Sequence, residues 1–271
     1  MESKLAQIGS STVQTSKEPA FTSLIEIELL FGEQVEVIEE VGERVKIRTI
    51  NKDAYEGYVG SRHLVAPFDT THRVSVRAAT VYHEADFKNP IEGEPLYFNS
   101  LVKIEESTET PQGLMHKITG SGWLFDTHLV PKEHVAPDFV EECMKFLGTS
   151  YGYERRGALI DCSTLVQAGC IATGRECPYD VKSGDMEKLG EPVELTEDLS
   201  NLQRGDLVFW TEGKGSHVVI MVDSENCLHA TIADPYRKCF IQSVKDVASD
   251  QIKSKDGPIT AIRRFPDYAP V

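Results

Sequence analysis

The central segment of the chain reads Ile-Asp-Cys-Ser-Thr-Leu-Val over residues 160–166. Asp161 stands where a helix N-cap is expected, and Cys162, Leu165, Val166 and Gly169 follow it at helical spacing. Cys162 therefore falls in the first turn, where free backbone N–H groups and the helix dipole favour negative charge. Because a thiolate is the attacking species, we expect a lowered pKa for this thiol and predict a nucleophilic cysteine. The same N–H groups can stabilise an oxyanion.

Two histidines downstream offer the base that such a cysteine needs. His217 precedes the apolar run Val-Val-Ile-Met-Val at 218–222, and His229 lies in the next predicted strand, at 227–231. In a hairpin of these strands the two residues are diagonal neighbours on one face, within about 7–8 Å. We predict His217 as the base, and His229 as the residue that fixes its ring orientation and tautomer.

Each of these residues also has an ordinary structural interpretation. A cysteine at a helix start is more often a small buried side chain, and a histidine beside an apolar strand is more often a core or rim residue. The order in which they occur argues for chemistry. Asp-Cys-Ser opens an apolar helix, Gly-Asp-Leu-Val-Phe-Trp at 205–210 forms a strand, and Ser-His-Val and Leu-His-Ala follow.

The first half of the chain contains an internal repeat of short strands. Glu-Gly-Tyr-Val at 56–59 matches Ser-Gly-Trp-Leu at 121–124, and His-Leu-Val follows each copy, at 63–65 and 128–130. A repeat built of strands, glycine turns and a closing aromatic predicts two copies of one small β-barrel. The pattern resembles the bacterial SH3-like domain. We place the copies at 21–68 and 69–131, after a loose lead-in at 1–20.

The second half changes from period two to a helical period. Asp138 is a plausible cap for a helix carrying Phe139, Cys143 and Phe146 on one face. A second helix is predicted from Cys162 to Thr173, followed by strands at 206–210, 217–222, 227–231 and 259–263. Helices first and a sheet afterwards predict an α+β domain over 132–271.

Composition narrows the classes of partner. There are 28 Lys and Arg residues against 43 Asp and Glu, a net charge of −15, which repels phosphate backbones and anionic lipids. We expect neither nucleic acid nor membrane as a partner. The first residues lack a basic start followed by an apolar stretch, and no window approaches about 18 apolar residues, so a cytoplasmic location is expected. The six cysteines show no Cys-x-x-Cys spacing, so neither a zinc site nor disulfides are expected.

These motifs resemble the NlpC-type cell-wall peptidases, which are papain-like enzymes. Asp161-Cys162-Ser163 matches the nucleophile motif of that family, Ser-His-Val at 216–218 its base motif, and Leu-His-Ala at 228–230 its third position. The resemblance implies a papain-like fold over 132–271 and a Cys162–His217–His229 triad. It also implies no metal and no cofactor.

With paired SH3-like copies upstream, the chain resembles the γ-D-glutamyl-L-diamino acid endopeptidases of murein peptide recycling (dipeptidyl-peptidase VI type). Such enzymes cut short peptides between D-Glu and the diamino acid. The resemblance implies that Tyr55 and Asp161 hold the free L-Ala amine, with Glu28 as a second candidate. It implies substrate contacts for Ser163 and Asp180 as well.

Two segments depart from the family pattern. The usual Tyr-x-Trp-Gly-Gly reads Tyr-Gly-Tyr-Glu-Arg at 151–155; it keeps Tyr151, a candidate donor on the oxyanion side, but loses the Trp and both glycines. The usual Pro-Arg-Asp-Ser-Asp-Met reads Pro-Tyr-Asp-Val-Lys-Ser-Gly-Asp-Met at 178–186, where the Arg is replaced and residues are inserted. Because these changes fall in the substrate-binding walls, two alternatives stay open: an amidase or acyltransferase acting on another substrate, and an inactive peptide-binding protein. The sequence does not fix an oligomeric state.

Overall fold

The structure is a computed structural model that describes residues 4–20, 24–50, 54–178, 185–211, 216–254 and 257–266. The chain forms two compact units. The first comprises residues 1–134 together with 156–158, and the second comprises 135–155 and 159–271. No helix in the described residues is both long and apolar enough to cross a membrane.

The first unit is built of short antiparallel strands. They are β1 Lys4–Ile8, β2 Thr12–Ser16, β3 Ile25–Leu30, β4 Gln34–Val41, β5 Arg44–Thr49, β6 Glu56–Gly60, β7 Leu64–Val65, β8 His72–Val74, β9 Ala78–Ala79, β10 Leu96–Tyr97, β11 Leu101–Val102, β12 Ile104–Thr110, β13 Gly113–Ile118, β14 Trp123–Phe125 and β15 Leu129–Pro131. One sheet has seven strands in the order β3-β2-β6-β5-β4-β1-β7, and three smaller sheets pair β10-β9, β11-β8-β15 and β12-β13-β14.

The repeat in the sequence corresponds to a repeat of elements. Strands β4, β5 and β6 pair in succession and lead through a 3-10 turn at Ser61–His63 into β7. Strands β12, β13 and β14 do the same, through a turn at Asp126–His128 into β15. This strand-rich organisation is consistent with SH3-like domains. The boundaries at 21–68 and 69–131 remain predictions.

The lead-in expected at residues 1–20 is wrong for the described residues. β1 pairs with β4 and β7, and β2 pairs with β3 and β6, so both lie inside the seven-stranded sheet. The polar composition hides these strands because their residues alternate: Val13 and Thr15 are buried, while their neighbours Thr12 and Gln14 are partly exposed.

The second unit combines helices with one antiparallel sheet. Its elements are α1 Phe139–Met144, α2 Cys162–Ala172, β16 Glu191–Val193, β17 Leu207–Trp210, β18 His217–Met221, β19 Asn226–Thr231, β20 Lys238–Ser243, α3 Val244–Ser254 and β21 Ala261–Arg264. The sheet order is β16-β21-β17-β18-β19-β20. This confirms the predicted α+β class, while β16, β20 and α3 were not predicted.

Capping and burial explain the two helices that were predicted. The side chain of Asp138 accepts from the backbone N–H groups of Val140 and Glu141 and so begins α1. Most apolar residues of α1 and α2 are buried, as are the central strands β17 and β18 along their whole length. A core of this kind holds the ends of α2 and β18 in fixed positions, which matters because the candidate site residues lie at those ends.

Candidate active site

Cys162 is the first residue of α2 and is held there by a capping box. The Asp161 side chain accepts from the backbone N–H of Thr164 at 2.8 Å, and the Thr164 hydroxyl accepts from the backbone N–H of Asp161 at 3.0 Å. These two bonds satisfy donors that the helix start would otherwise leave unpaired. The thiol therefore sits on a rigid helix end.

The thiol of Cys162 lies beside the start of β18. The backbone N–H groups of Val218, Ser163 and Cys162 lie close enough to the sulfur to lower its pKa. Val218 directly follows His217 in the chain. The structure therefore brings the predicted nucleophile and the strand end that carries the predicted base together within the second unit.

His217 and His229 are joined by a hydrogen bond. His217 Nε2 lies 2.9 Å from His229 Nδ1, and the two ring centroids are 5.2 Å apart. Strands β18 and β19 pair Ile220 with Leu228 and Met221 with Cys227. Extending this register makes the two histidines diagonal neighbours on one face. Because Nε2 of His217 is engaged by His229, its Nδ1 is the nitrogen left to serve as the base.

The outer side of His229 is also engaged. Its Nε2 lies 3.2 Å from Gln242 Oε1, and Gln242 Nε2 donates to Asp250 Oδ2 at 3.2 Å. The Phe240 ring packs on His229 with centroids 4.8 Å apart. The sequence analysis missed Gln242 and Asp250 because they lie in β20 and α3, where no motif pointed to them.

The expectation of a lowered thiol pKa is wrong. Burial raises the pKa of Cys162 to about 12, and the neighbouring Asp161 carboxylate adds to this rise. The N–H groups at the helix start and from Val218 lower the pKa, but their contribution is smaller. The cost of desolvating the thiolate in a buried site therefore outweighs the stabilisation that the helix start gives it. The sequence shows the helix start but not the burial.

Both imidazoles favour their neutral forms. Burial lowers the pKa of His217 to about 3, with the second ring adding to the effect. Burial likewise lowers the pKa of His229 to about 4, although Gln242 and Asp250 act in the opposite direction. The shifts of the two rings and of the thiol have one physical cause, because a buried site disfavours the charged form of each group.

This neutrality predicts a pH dependence of stability. The folded pKa values of both histidines lie below the unfolded value of about 6.5. The unfolded chain therefore binds more protons between about pH 4 and 6.5, and the free energy of unfolding falls as the pH is lowered through that range. Between pH 7 and pH 5, we expect the free energy of unfolding to fall by about 2 kcal/mol less in His229→Gln than in the wild type. Urea unfolding at both pH values measures this difference, and equal losses would contradict it.

Asp161 and Ser163 belong to one buried network. Asp161 Oδ1 accepts from the hydroxyls of Ser163 and Thr164, each at 2.8 Å, and its Oδ2 accepts from the backbone N–H of Glu154. Burial raises the pKa of Asp161, while these donors lower it. Glu154 has φ +53°, a left-handed conformation that favours glycine, and it stands where the family pattern has a glycine.

Tyr151 lies close to Cys162 and Asp161. Burial raises the pKa of its hydroxyl, and Cys162 and Asp161 are the next largest contributors, so the hydroxyl is held protonated close to the thiol. Its backbone N–H donates to Arg237, and it forms a bridge with Ile160. A protonated hydroxyl in this position is able to donate to a developing oxyanion.

Two of the predicted substrate-binding residues lie in the first unit. The hydroxyl of Tyr55 donates to Glu26 Oε2 at 2.7 Å. Glu28 is buried in β3, and its Oε2 accepts from the backbone N–H groups of Arg156 and Gly157, at 2.8 and 2.7 Å. Asp180 lies outside the described residues. In the described part of the chain, no group of three or more His, Cys, Asp or Glu side chains could hold a metal ion.

Comparison with known proteins agrees with this site. Residues 148–250 match the model of the NlpC/P60 family. This segment is an NlpC/P60 domain. Members of the NlpC/P60 family are cysteine peptidases, so this match supports a cysteine peptidase domain over residues 148–250. The matched residues include Cys162, His217 and His229, together with the helix and strands that carry them.

Two relatives extend the likeness beyond the NlpC/P60 domain. The gamma-D-glutamyl-L-lysine dipeptidyl-peptidase of Bacillus subtilis (strain 168) is 28% identical over 225 residues, which are 77% of this chain and 73% of that protein. The crystal structure of an NlpC/P60 family protein from Bacillus cereus ATCC 10987 matches with a TM-score of 0.73 at 18% identity. That match covers 97% of this chain and 99% of the other. It confirms the predicted papain-like fold of the second unit.

Proposed function

We propose that the protein hydrolyses the γ-D-glutamyl–diamino acid bond of short murein peptides that begin with a free L-Ala. The observation that carries this proposal is the 225-residue similarity to a gamma-D-glutamyl-L-lysine dipeptidyl-peptidase. A similarity covering 77% of the chain cannot be confined to residues 148–250, the segment that matches the family model. It therefore supports a shared substrate class as well as a shared reaction.

The reaction begins with proton transfer from sulfur to nitrogen. His217 Nδ1 takes the thiol proton while Cys162 Sγ attacks the γ-carbonyl carbon of D-Glu. The carbonyl oxygen becomes an oxyanion, which the N–H groups at the start of α2 and the Tyr151 hydroxyl stabilise. A neutral Cys162 thiol and a neutral His217 ring suit this sequence of events, because charge then develops on the ring and on the carbonyl oxygen only as the carbon–sulfur bond forms.

The intermediate then collapses. The carbon–nitrogen bond breaks, and His217 gives its proton to the departing amine of the diamino acid. A thioester between Cys162 and L-Ala-γ-D-Glu remains. Water attacks it with His217 as the base, which releases the dipeptide and restores the thiol. His229 keeps the ring of His217 in place through both halves of the reaction.

Recognition of the free amine is the feature that would restrict the substrate to short peptides. An ammonium in a closed site needs acceptors and a counter-charge. Following the family resemblance, we assign this role to Tyr55 and Asp161. Glu28 already accepts two backbone N–H bonds, whereas Glu26 accepts from the Tyr55 hydroxyl. We therefore add Glu26 to the candidates.

The test is a panel of tripeptides L-Ala-γ-D-Glu-X, with X either L-Lys or meso-diaminopimelate. We expect release of the free diamino acid, and a kcat/KM at least about 100-fold lower for the N-acetylated peptides, which lack the ammonium and its charge-assisted hydrogen bonds. Chromatography of the released amino acid measures both values. Tyr55→Phe should narrow the difference between free and acetylated peptides, and Tyr58→Phe in β6 is the matched control.

Two results would contradict the proposal. Equal rates for free and acetylated peptides would show that the amine is not recognised. No release of diamino acid from any peptide of the panel would instead favour an amidase or acyltransferase acting on another substrate.

A further inference from the structure

We propose that Gln242 and Asp250 are positioning residues that give the hydrogen-bond chain through the two histidines a single direction. In that direction His217 donates from Nε2, so its Nδ1 carries no proton and can accept the one from Cys162. The inference rests on the proposed function, because it assumes that Cys162 delivers its proton to His217. It goes further by assigning a task to two residues outside the Cys-His-His set.

A pair of neutral imidazoles joined by one hydrogen bond can exist in two forms. In the first, His217 Nε2–H donates to His229 Nδ1, and Nδ1 of His217 is a free acceptor. In the second, His229 Nδ1–H donates to His217 Nε2, and His217 carries its proton on Nδ1. Only the first form can accept the thiol proton of Cys162. The distance of 2.9 Å between the two nitrogens fits either form.

The outer nitrogen of His229 decides between these forms. Its Nε2 lies 3.2 Å from the amide oxygen of Gln242. A carbonyl oxygen only accepts, so Nε2 of His229 has to carry the proton and its Nδ1 has to accept. The first form follows, provided that the amide keeps its oxygen towards His229.

Asp250 keeps the amide in that orientation. Gln242 Nε2 donates to Asp250 Oδ2 at 3.2 Å. An ionised carboxylate only accepts, so the amide nitrogen has to face Asp250 and the oxygen has to face His229. Every donor then points the same way, from His217 to His229, on to Gln242 and finally to the carboxylate of Asp250.

The fold holds this chain in place by local connections. Gln242 pairs with Cys227 across β19 and β20, which puts it on the same face as His229. Asp250 lies in α3, which follows β20 without a break. Its side chain is 50% exposed, and Lys253 Nζ lies 3.2 Å from Oδ1. The ammonium of Lys253 and the Gln242 amide nitrogen are both donors, so the Asp250 carboxylate serves as an acceptor for both.

Asp250→Asn is the direct test, because an asparagine amide can donate as well as accept and no longer fixes the orientation of Gln242. We expect kcat to fall about 10-fold with KM nearly unchanged. Asp246→Asn is the matched control: it removes the same charge from the same helix at an exposed position, and we expect no change. Thermal unfolding of both variants shows whether they fold.

The tautomers themselves provide a readout that needs no substrate. In ¹⁵N NMR of the wild-type protein labelled at histidine, we expect Nε2 protonated and Nδ1 bare on both His217 and His229. Asp250→Asn should give a mixture of the two forms.

The inference is overturned if His217 carries its proton on Nδ1 in the wild type, or if Asp250→Asn leaves the tautomers unchanged, whatever its effect on kcat. An unchanged kcat in folded Asp250→Asn also overturns it. If the wild-type protein hydrolyses no tripeptide, the proposed function fails instead. The NMR result then still decides the direction of the chain.

Discussion

Cys162→Ala is expected to lower kcat/KM for tripeptide hydrolysis by at least about 10⁴-fold. The reason is that the sulfur forms the covalent intermediate, and an alanine side chain has no nucleophile to replace it. Alanine fits the first turn of a helix, and the capping box uses Asp161 and Thr164, so the fold should survive. Release of free diamino acid, followed to low turnover, measures the loss.

Cys170→Ala is the matched control for this variant. It makes the same change in the same helix, at a buried thiol for which we find no chemical role. We expect some loss of stability from the small cavity but wild-type kcat. Hydrolysis by Cys162→Ala at a rate within 10-fold of the wild type would contradict the assignment of the nucleophile.

His217→Ala is expected to lower kcat about 10³–10⁴-fold, because general acid–base transfer at a fixed geometry contributes about this much. The residue takes the thiol proton and later protonates the departing amine, so its loss slows both halves of the reaction. His229→Ala should cost less, about 10²-fold, because orientation of the base is a smaller contribution than the proton transfer itself.

Both histidine variants are compared in kcat with His116→Gln. His116 is also a buried histidine with two hydrogen-bond partners, Ser107 and Asp126, but it lies in the first unit. Its replacement controls for the loss of a buried, hydrogen-bonded ring. A larger loss in His229→Ala than in His217→Ala would reverse the roles assigned to the two residues.

The parts of the site that could be predicted from sequence are those with a local signal. The Asp161 cap and the apolar period after it predicted a helix from Cys162 to Thr173, and the structure has α2 at Cys162–Ala172. The apolar content of β17, β18 and β19 was equally visible, because strands in the middle of a buried sheet show as short apolar runs in the sequence.

The parts that could not be predicted depend on the folded environment. The thiol pKa is raised because the finished core desolvates Cys162, whereas the sequence shows only the favourable helix end. Gln242 and Asp250 reach His229 only through strand pairing and through the packing of α3 on β20. Neither residue is marked by a local sequence pattern. Residues of β1 and β2 look polar until the pairing partners of these strands are known.

The most direct test of the account uses a chloromethyl ketone built on L-Ala-γ-D-Glu, in which the reactive carbon takes the place of the scissile bond. At a concentration that inactivates the enzyme, peptide mapping by mass spectrometry should find one adduct, on Cys162. Exposure alone would favour Cys177, which is half-buried whereas Cys162 is buried. Inactivation with Cys162 unmodified and the label on another residue would contradict the account.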